Sequence, residues 1–407
     1  MTYVLWFTIA FSILALGYGY VGWRLIVSSH LPHPWNAVAW IVLCVLFSVP
    51  ILAVILEINR IKYPWSDILI WVGYGTLGMF SFVFTLVLLR DIVWIIAAGG
   101  VKLTAWLSSL VGGSHRLGGR TNQGRREFLQ GLNIGIFALS GGLTAYGFYQ
   151  ARRRPAIVTV EVPVSNLPHE LEGFRIVQIT DIHAGLTVKR DFVETIVGMA
   201  NELQGDIVAF TGDLVDGTVA HLREHVEPMS RLSSRYGKYF ITGNHEYYSG
   251  ALPWVEEARR MGFDVLINEH RILKHGGKNI LLAGVTDSSA GQFVPAHASD
   301  PHKAIANAQP ADVRILLAHQ PRSVFEASKA GFDIQISGHT HGGQFFPWNL
   351  VAAMGQPFIK GLHKFENMWV YVSKGTGYWG PPVRLGARSE ITVLTLTSAT
   401  DQQSDKG

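Results

Sequence analysis

Gly338-His339-Thr340-His341-Gly342-Gly343-Gln344 follows the apolar run Phe332-Asp333-Ile334-Gln335-Ile336-Ser337. The run reads as a buried strand, and the heptad sets two imidazoles two residues apart among three glycines. Four further polar clusters stand where apolar runs end. Residues 174–180 lead into Asp181-Ile182-His183, and 206–211 into Gly212-Asp213-Leu214-Val215-Asp216-Gly217. Residues 238–242 lead into Gly243-Asn244-His245-Glu246, and 313–318 into His319-Gln320-Pro321. One such cluster would mean little, because a His at a strand end is usually a satisfied loop residue. Five in this order point to one site, since ligands gather beyond the strand ends of open α/β sheets.

Further short β-rich runs at 279–286, 369–373 and 391–397 alternate with polar stretches. Residues 191–203 have helical spacing through Phe192, Ile196, Met199 and Leu203. Alternating strands and helices predict an α/β domain of layered sheets flanked by helices. The chain has one cysteine, Cys44, inside an apolar run, which excludes an intrachain disulfide framework and a thiolate site. A metal would have to be held by His, Asp, Asn or Glu. Donors of N and O without S suit Mn, Fe or Zn. Two such cations a few Å apart repel, so a carboxylate between them is close to a requirement.

Residues 1–150 have another texture. Four apolar segments, at about 3–23, 38–56, 68–89 and 128–149, each have the length that a helix needs to cross a bilayer. Trp23, Trp35, Tyr63, Trp65 and Trp94 suit interfacial anchoring. Asn133, Ser140, Gly141 and Gly142 dilute the fourth segment. The run 92–98 either prolongs the third helix or lies along the interface. Ionisable residues are nearly absent from these segments, which favours an anchor over a transporter.

Residues 1–154 carry 12 Lys+Arg against 4 Asp+Glu, and the remainder is net acidic, so the overall +4 reflects membrane flanks. With no basic, aromatic-interleaved stripe in the second part, no nucleic-acid partner is expected. Seven loop Lys/Arg on one side (Arg24, Arg90, Lys102, Arg116, Arg120, Arg125, Arg126) face five on the other (Arg60, Lys62, Arg152, Arg153, Arg154). That leans toward an extracytoplasmic second part, although Arg152-Arg153-Arg154 counts against it. Gly124-Arg125-Arg126-Glu127-Phe128-Leu129-Gln130 resembles a twin-arginine export signal but lies inside the chain, and it reads equally as an arginine pair beside a membrane helix. The expected organisation is a membrane region over 1–150, a basic linker over 151–157, the α/β domain over 158–398 and a disordered polar tail over 399–407.

The five clusters resemble the pattern D-x-H, GD-x-x-D, GNH-E/D, H and GH-x-H of the calcineurin-like metallophosphoesterase superfamily. The Gly-Gly-Gln extension and the run from Ser373-Lys374-Gly375-Thr376-Gly377 to Pro381-Pro382-Val383-Arg384-Leu385-Gly386 are similar to its bacterial membrane-associated, YkuE-type branch. The resemblance implies two divalent ions. Asp181, His183, Asp213 and His341 would hold the first, and Asp213, Asn244, His319 and His339 the second, with Asp213 bridging. His245, oriented by Asp216, would protonate the leaving oxygen. The implied activity is hydrolysis of a phosphodiester, pyrophosphate or phosphomonoester at the bacterial cytoplasmic membrane, with a non-catalytic scaffold of the same fold as the alternative.

Membrane-associated members include hydrolases of the UDP-diacylglucosamine pyrophosphate bond, which makes a lipid-linked substrate one candidate. Such a substrate requires a cytoplasmic site and conflicts with the topology lean. The apolar stretch 345–354 either packs on the core or forms a lip on the bilayer that Tyr378 and Trp379 could extend. Arg384 either meets a phosphate or anchors the C-terminal strands. Gln344 either contacts substrate or bonds a neighbouring loop. Glu246 is expected to bond within its own loop, and His169, His221 and His302 to lie at the surface.

Overall fold

The structure, a computed structural model, describes residues 2–29, 31–58, 65–110 and 122–399. Arg60, Lys62, Tyr63, Arg116, Arg120 and the tail 400–407 lie outside the described residues. The chain forms two compact units, Met1–Tyr146 and Gly147–Gly407.

The first unit is helical. Helix α1 (Thr2–Gly22) runs into a π-helical turn (Trp23–Val27) and is followed by α2 (Trp35–Ile58) and α3 (Ser66–Leu110). Helix α4 (Asn122–Arg152) begins here and ends in the second unit. Trp35–Leu56, Ser66–Leu110 and Glu127–Arg152 are long and apolar enough to cross a membrane, and Phe11–Val27 is a shorter apolar helix. Gly73 lets α2 and α3 approach closely, since a Cβ there would lie 3.0 Å from Pro50 Cα. The stretch 124–130 lies in the first turns of α4.

Helix α3 follows the first of the two readings of residues 92–98. It has 45 residues, roughly 67 Å at 1.5 Å per residue, so 92–98 prolongs it. Arg90 and Asp91 therefore sit inside the helix and not in a loop, which corrects the near-absence of charge expected of the apolar segments. Pairing makes this tolerable. Asp91 accepts from Arg24 at 2.5 and 2.6 Å, from Tyr20 at 2.5 Å and from Arg90 at 3.0 Å.

The second unit is built on twelve strands: β1 (Ala156–Val164), β2 (Arg175–Ile179), β3 (Ile207–Phe210), β4 (Lys238–Phe240), β5 (Asp264–Val265), β6 (Glu269–His275), β7 (Lys278–Gly284), β8 (Val313–Leu317), β9 (Ile334–Ser337), β10 (Gly361–Phe365), β11 (Met368–Val372) and β12 (Glu390–Ser398). They form two six-stranded mixed sheets, ordered β1-β12-β2-β3-β4-β5 and β10-β11-β9-β8-β7-β6. Since α4 reaches Arg152 and β1 opens at Ala156, little of 151–157 remains as linker.

Side chains alternate between faces along each strand, and the alternation makes the layers. Ile176, Ile207, Ile315, Ile334 and Leu394 meet between the two sheets. Val177, Ile179, Val208 and Phe210 face outward onto α5 (Arg190–Glu202), α6 (Val219–Val226) and α8 (Ala251–Arg260), the helix that follows the short α7 (Asn244–Ser249). Leu281, Ala283 and Leu316 face the other way, toward Val324 and Ala327, beyond the short α9 (Pro301–Ile305), on α10 (Val324–Ala330). The result is a helix–sheet–sheet–helix sandwich. Strands β2, β3 and β4 run parallel, as do β7, β8 and β9, so their C-terminal ends lie together at one edge of each sheet.

Candidate metal centre

All five polar clusters emerge from those C-terminal ends. The loops after β2 and β3 continue to pair past the strands, with Asp181 N–H donating to Gly212 O at 3.0 Å, His183 N–H to Asp213 O at 3.2 Å and Ala184 N–H to Leu214 O at 2.8 Å. This zipping sets Asp181, His183, Asp213 and Asp216 in register. Asn244 and His245 open helix α7 after β4, and His319, His339 and His341 come from the second sheet.

The side chains converge as two sets that share one carboxylate. His183 Nε2 lies 3.0 Å from His341 Nε2, 3.7 Å from Asp213 Oδ2 and 4.0 Å from Asp181 Oδ1, and His341 Nε2 lies 3.7 Å from Asp181 Oδ1. On the other side His319 Nε2 lies 3.0 Å from Asp213 Oδ2 and 3.1 Å from Asn244 Oδ1, with the His339 ring 5.0 Å from that of His319. The same oxygen of Asp213 thus faces both sets. Asp181–His183–His341 and Asp213–His319–His339 are each close enough to hold one metal ion, as is a third grouping of His183, Asp213 and His245.

Three observations fit this site to divalent cations. First, Asp181, His183, Asp213, His339 and His341 all have φ between 50° and 71°, the left-handed region that costs a non-glycine residue of order 1 kcal/mol or more. Five such residues around one point indicate that the fold enforces their convergence. Second, outer partners leave ring nitrogens open for an ion. His319 Nδ1 donates to Thr211 O at 2.8 Å, and His183 Nδ1 to Asp216 Oδ1 at 3.0 Å. Third, glycine is required at the walls, since a Cβ on Gly243 would lie 2.1 Å from Asp213 Oδ1 and one on Gly338 2.2 Å from Asp181 Oδ2.

The field of the site is strongly uneven. Burial alone would raise Asp213, yet the neighbouring His319, His245 and His183 hold it well below the usual carboxylate range. Burial, then His183 and Arg384, push His341 well below the ordinary imidazole range, which favours its neutral form. Burial also opposes charge on His245, but Asp213 and Asp216 outweigh it and raise His245 to about 9. Its Nδ1 donates to Asp216 Oδ1 at 2.6 Å.

The structure brings together Asp181, His183, Asp213, Asp216, Asn244, His245, His319, His339 and His341. Gln344 and Arg384 make other bonds. Gln344 Nε2 donates to Trp379 O at 2.9 Å and Pro381 O at 3.2 Å, and its Oε1 accepts from Trp379 N–H at 3.0 Å. Arg384 is fully buried and donates to Gly377 O, Ala387 O and His341 Nδ1, the last at 3.0 Å. Glu246 accepts from the N–H groups of Gly243, Asp213 and Leu214, tying the β3 and β4 loops together. Tyr378 does not extend an exposed surface: it is 1% exposed, its ring against that of Phe192.

Sequence reasoning missed Tyr248 and placed Trp379 only on the apolar lip, whereas both rings flank His245, at 5.2 and 5.6 Å. It also missed Thr180, whose hydroxyl donates to Asp181 at 2.7 Å. Closeness to the GNHE cluster was the one available signal for Tyr248. Trp379 reaches His245 from 134 residues downstream, a pairing that no local pattern gives.

The calcineurin-like phosphoesterase family model matches residues 174–343. The chain is 42% identical over 265 residues to a transmembrane protein with metallophosphoesterase domain from Danio rerio, covering 63% of this chain and 61% of that one. It is 36% identical over 278 residues to a metallophosphoesterase of Helicobacter pylori, covering 67% and 72%. It is 30% identical over 287 residues to the metallophosphoesterase YkuE of Bacillus subtilis, covering 67% and 98%. The chain belongs to the calcineurin-like metallophosphoesterase family, a class of hydrolases. It spans about three fifths of the length of its transmembrane relatives.

Proposed function

We propose that this protein is a membrane-anchored phosphoesterase with a dinuclear metal centre. Asp181, His183, Asp213 and His341 would hold one divalent ion, and Asp213, Asn244, His319 and His339 the other. The observation that carries the reading is the position of Asp213 Oδ2 between His183 and His319. Manganese, iron or zinc bound there would supply a nucleophilic water near neutral pH and offset charge on the phosphoryl oxygens.

The chain's own residues do the rest. His245 is the proton donor for the leaving oxygen, because Asp216 fixes its Nδ1 and leaves Nε2 for the substrate. The backbone N–H of His245 donates to Asp213 Oδ1 at 2.9 Å, so acid and bridging carboxylate move as one body. Arg384 is a positioning residue that holds His341 from behind. Trp379, 54% exposed, walls the approach beside His245.

An apolar helix favours a substrate presented at a lipid surface. Helix α11 (Trp348–Gly355) packs on the GHTHGGQ loop, where a Cβ on Gly343 would lie 2.2 Å from Asn349 Cα. Phe345 is buried, but Trp348, Leu350, Val351 and Met354 are each at least half exposed. A phosphodiester or pyrophosphate on a lipid is the substrate class that such a margin suits. The test is metal analysis of the purified full chain together with turnover of a chromogenic phosphodiester in detergent. Two bound ions per chain and manganese-, iron- or zinc-dependent turnover are expected. A chain that retains both ions without turning over any phosphoester would instead be a scaffold.

A further inference from the structure

The metal centre makes no use of the charged cluster in the first unit. Tyr20, Arg24, Arg90, Asp91 and Asn133 line a cleft of about 1260 Å³, larger than the roughly 300–1,000 Å³ that suits drug-sized ligands. Two guanidiniums face one carboxylate, and Asp91 is the only acid among the lining residues. Arg90 donates to Asn133 at 2.5 Å as well as to Asp91, and its side chain is 10% exposed. The cleft therefore keeps one positive charge that no described lining residue balances. Charge within membrane helices is costly and marks a site by default.

The depth of the cluster says what the charge meets. Helix α1 rises about 32 Å before the turn that carries Arg24, and α3 rises about 36 Å from Ser66 to Arg90. Both distances match the hydrocarbon thickness of about 30 Å. Helix α1 and the first part of α3 thus deliver their arginines to one level, that of lipid phosphates. The walls beside them are apolar and outward-facing: Leu89 is 42% exposed, Val93 65% and Ile95 68%.

We propose that this cleft binds an anionic glycerophospholipid. The phosphate lies against Arg24 and Arg90, which are suited to charge-assisted bonds with phosphate oxygens. The acyl chains lie along Leu89, Val93 and Ile95. Asp91 holds the two arginines apart and in place, so the site takes a single negative charge.

Native mass spectrometry of the full chain released from detergent tests this, with phosphatidylglycerol, phosphatidylcholine or inorganic phosphate added. The wild-type chain should retain phosphatidylglycerol about tenfold better than phosphatidylcholine, and inorganic phosphate hardly at all. Arg90→Gln should abolish the preference, whereas Arg90→Lys and Asp91→Asn should keep or raise it. Asp91→Asn retains an acceptor for Arg24 and Tyr20, and it guards against reading a folding defect as lost binding. Equal retention of both lipids, a preference unmoved in Arg90→Gln, or a loss in Asp91→Asn overturns the proposal. Inorganic phosphate retained as well as phosphatidylglycerol overturns it too, since the cleft would then be a plain anion site.

Discussion

In the first unit Asp91 lies on a helix whose backbone groups already bond one another, so its carboxylate depends on side chains alone: Tyr20, Arg24 and Arg90. In the second unit the buried charges of the candidate metal centre lie just past strand ends, where backbone groups are still available. Glu246 accepts from three N–H groups, Asp181 from that of His339, and His319 donates to a carbonyl. The lesson is one of capacity. A helix can carry one compensated cluster of charge, whereas a set of strand ends can hold seven ligand candidates with outer partners for several of them.

Four substitutions can break or sharpen that contrast. The largest effect is expected from Asp213→Asn, which removes the charge both ligand sets share. Turnover should fall about a thousandfold or more, equivalent to several kcal/mol of transition-state stabilisation. Elemental analysis should show both ions depleted, and a fully loaded variant would refute a bridging role.

Next comes His245→Ala, expected to lower turnover by about a hundredfold or more with near-normal metal content. Unchanged turnover would remove His245 from the chemistry, whatever its distance to Asp216.

Asp91→Leu tests the other unit. It strands Arg24 and Arg90 among apolar helices. With Arg24 partly exposed, the expected cost is about 2 kcal/mol, below that of breaking a fully buried pair. Thermal melts in detergent should show it while metal content stays the same. A drop in metal occupancy would mean that the two units do not stand apart energetically.

The smallest effect belongs to Arg259→Ala. Its pair with Glu256 is solvent-exposed on both sides, so denaturant unfolding should move by less than about 0.5 kcal/mol. A shift above about 1 kcal/mol would give this surface pair more weight than solvent screening allows.

Much of the site was legible because ligand chemistry is local. Asp181, His183, Asp213, Asn244, His319, His339 and His341 each announce themselves by type and by standing just past an apolar run. Strands β2, β3, β8 and β9 were legible for the same reason, being short, β-branched and buried. Strand β6, Glu269–His275, was not, because an edge strand facing water carries charge along its length. The continuation of α3 through 92–98 was legible only as one of two readings, since Arg90-Asp91 looks like a helix end until Arg24 and Tyr20 are seen to satisfy it.

Arg384 shows the limit most plainly. Its position after Pro381-Pro382 is equally consistent with holding a phosphate or the protein itself. Only the packed fold shows it buried against three carbonyls and the back of His341. Composition and order alone determined that this chain has apolar segments, a layered α/β unit and nitrogen and oxygen donors that could hold metal. Tertiary structure decided which ring nitrogen faces which carboxylate, and where two arginines meet at one depth. Donor type is a property of a single residue, but distance between donors depends on strand register and helix packing across the whole unit.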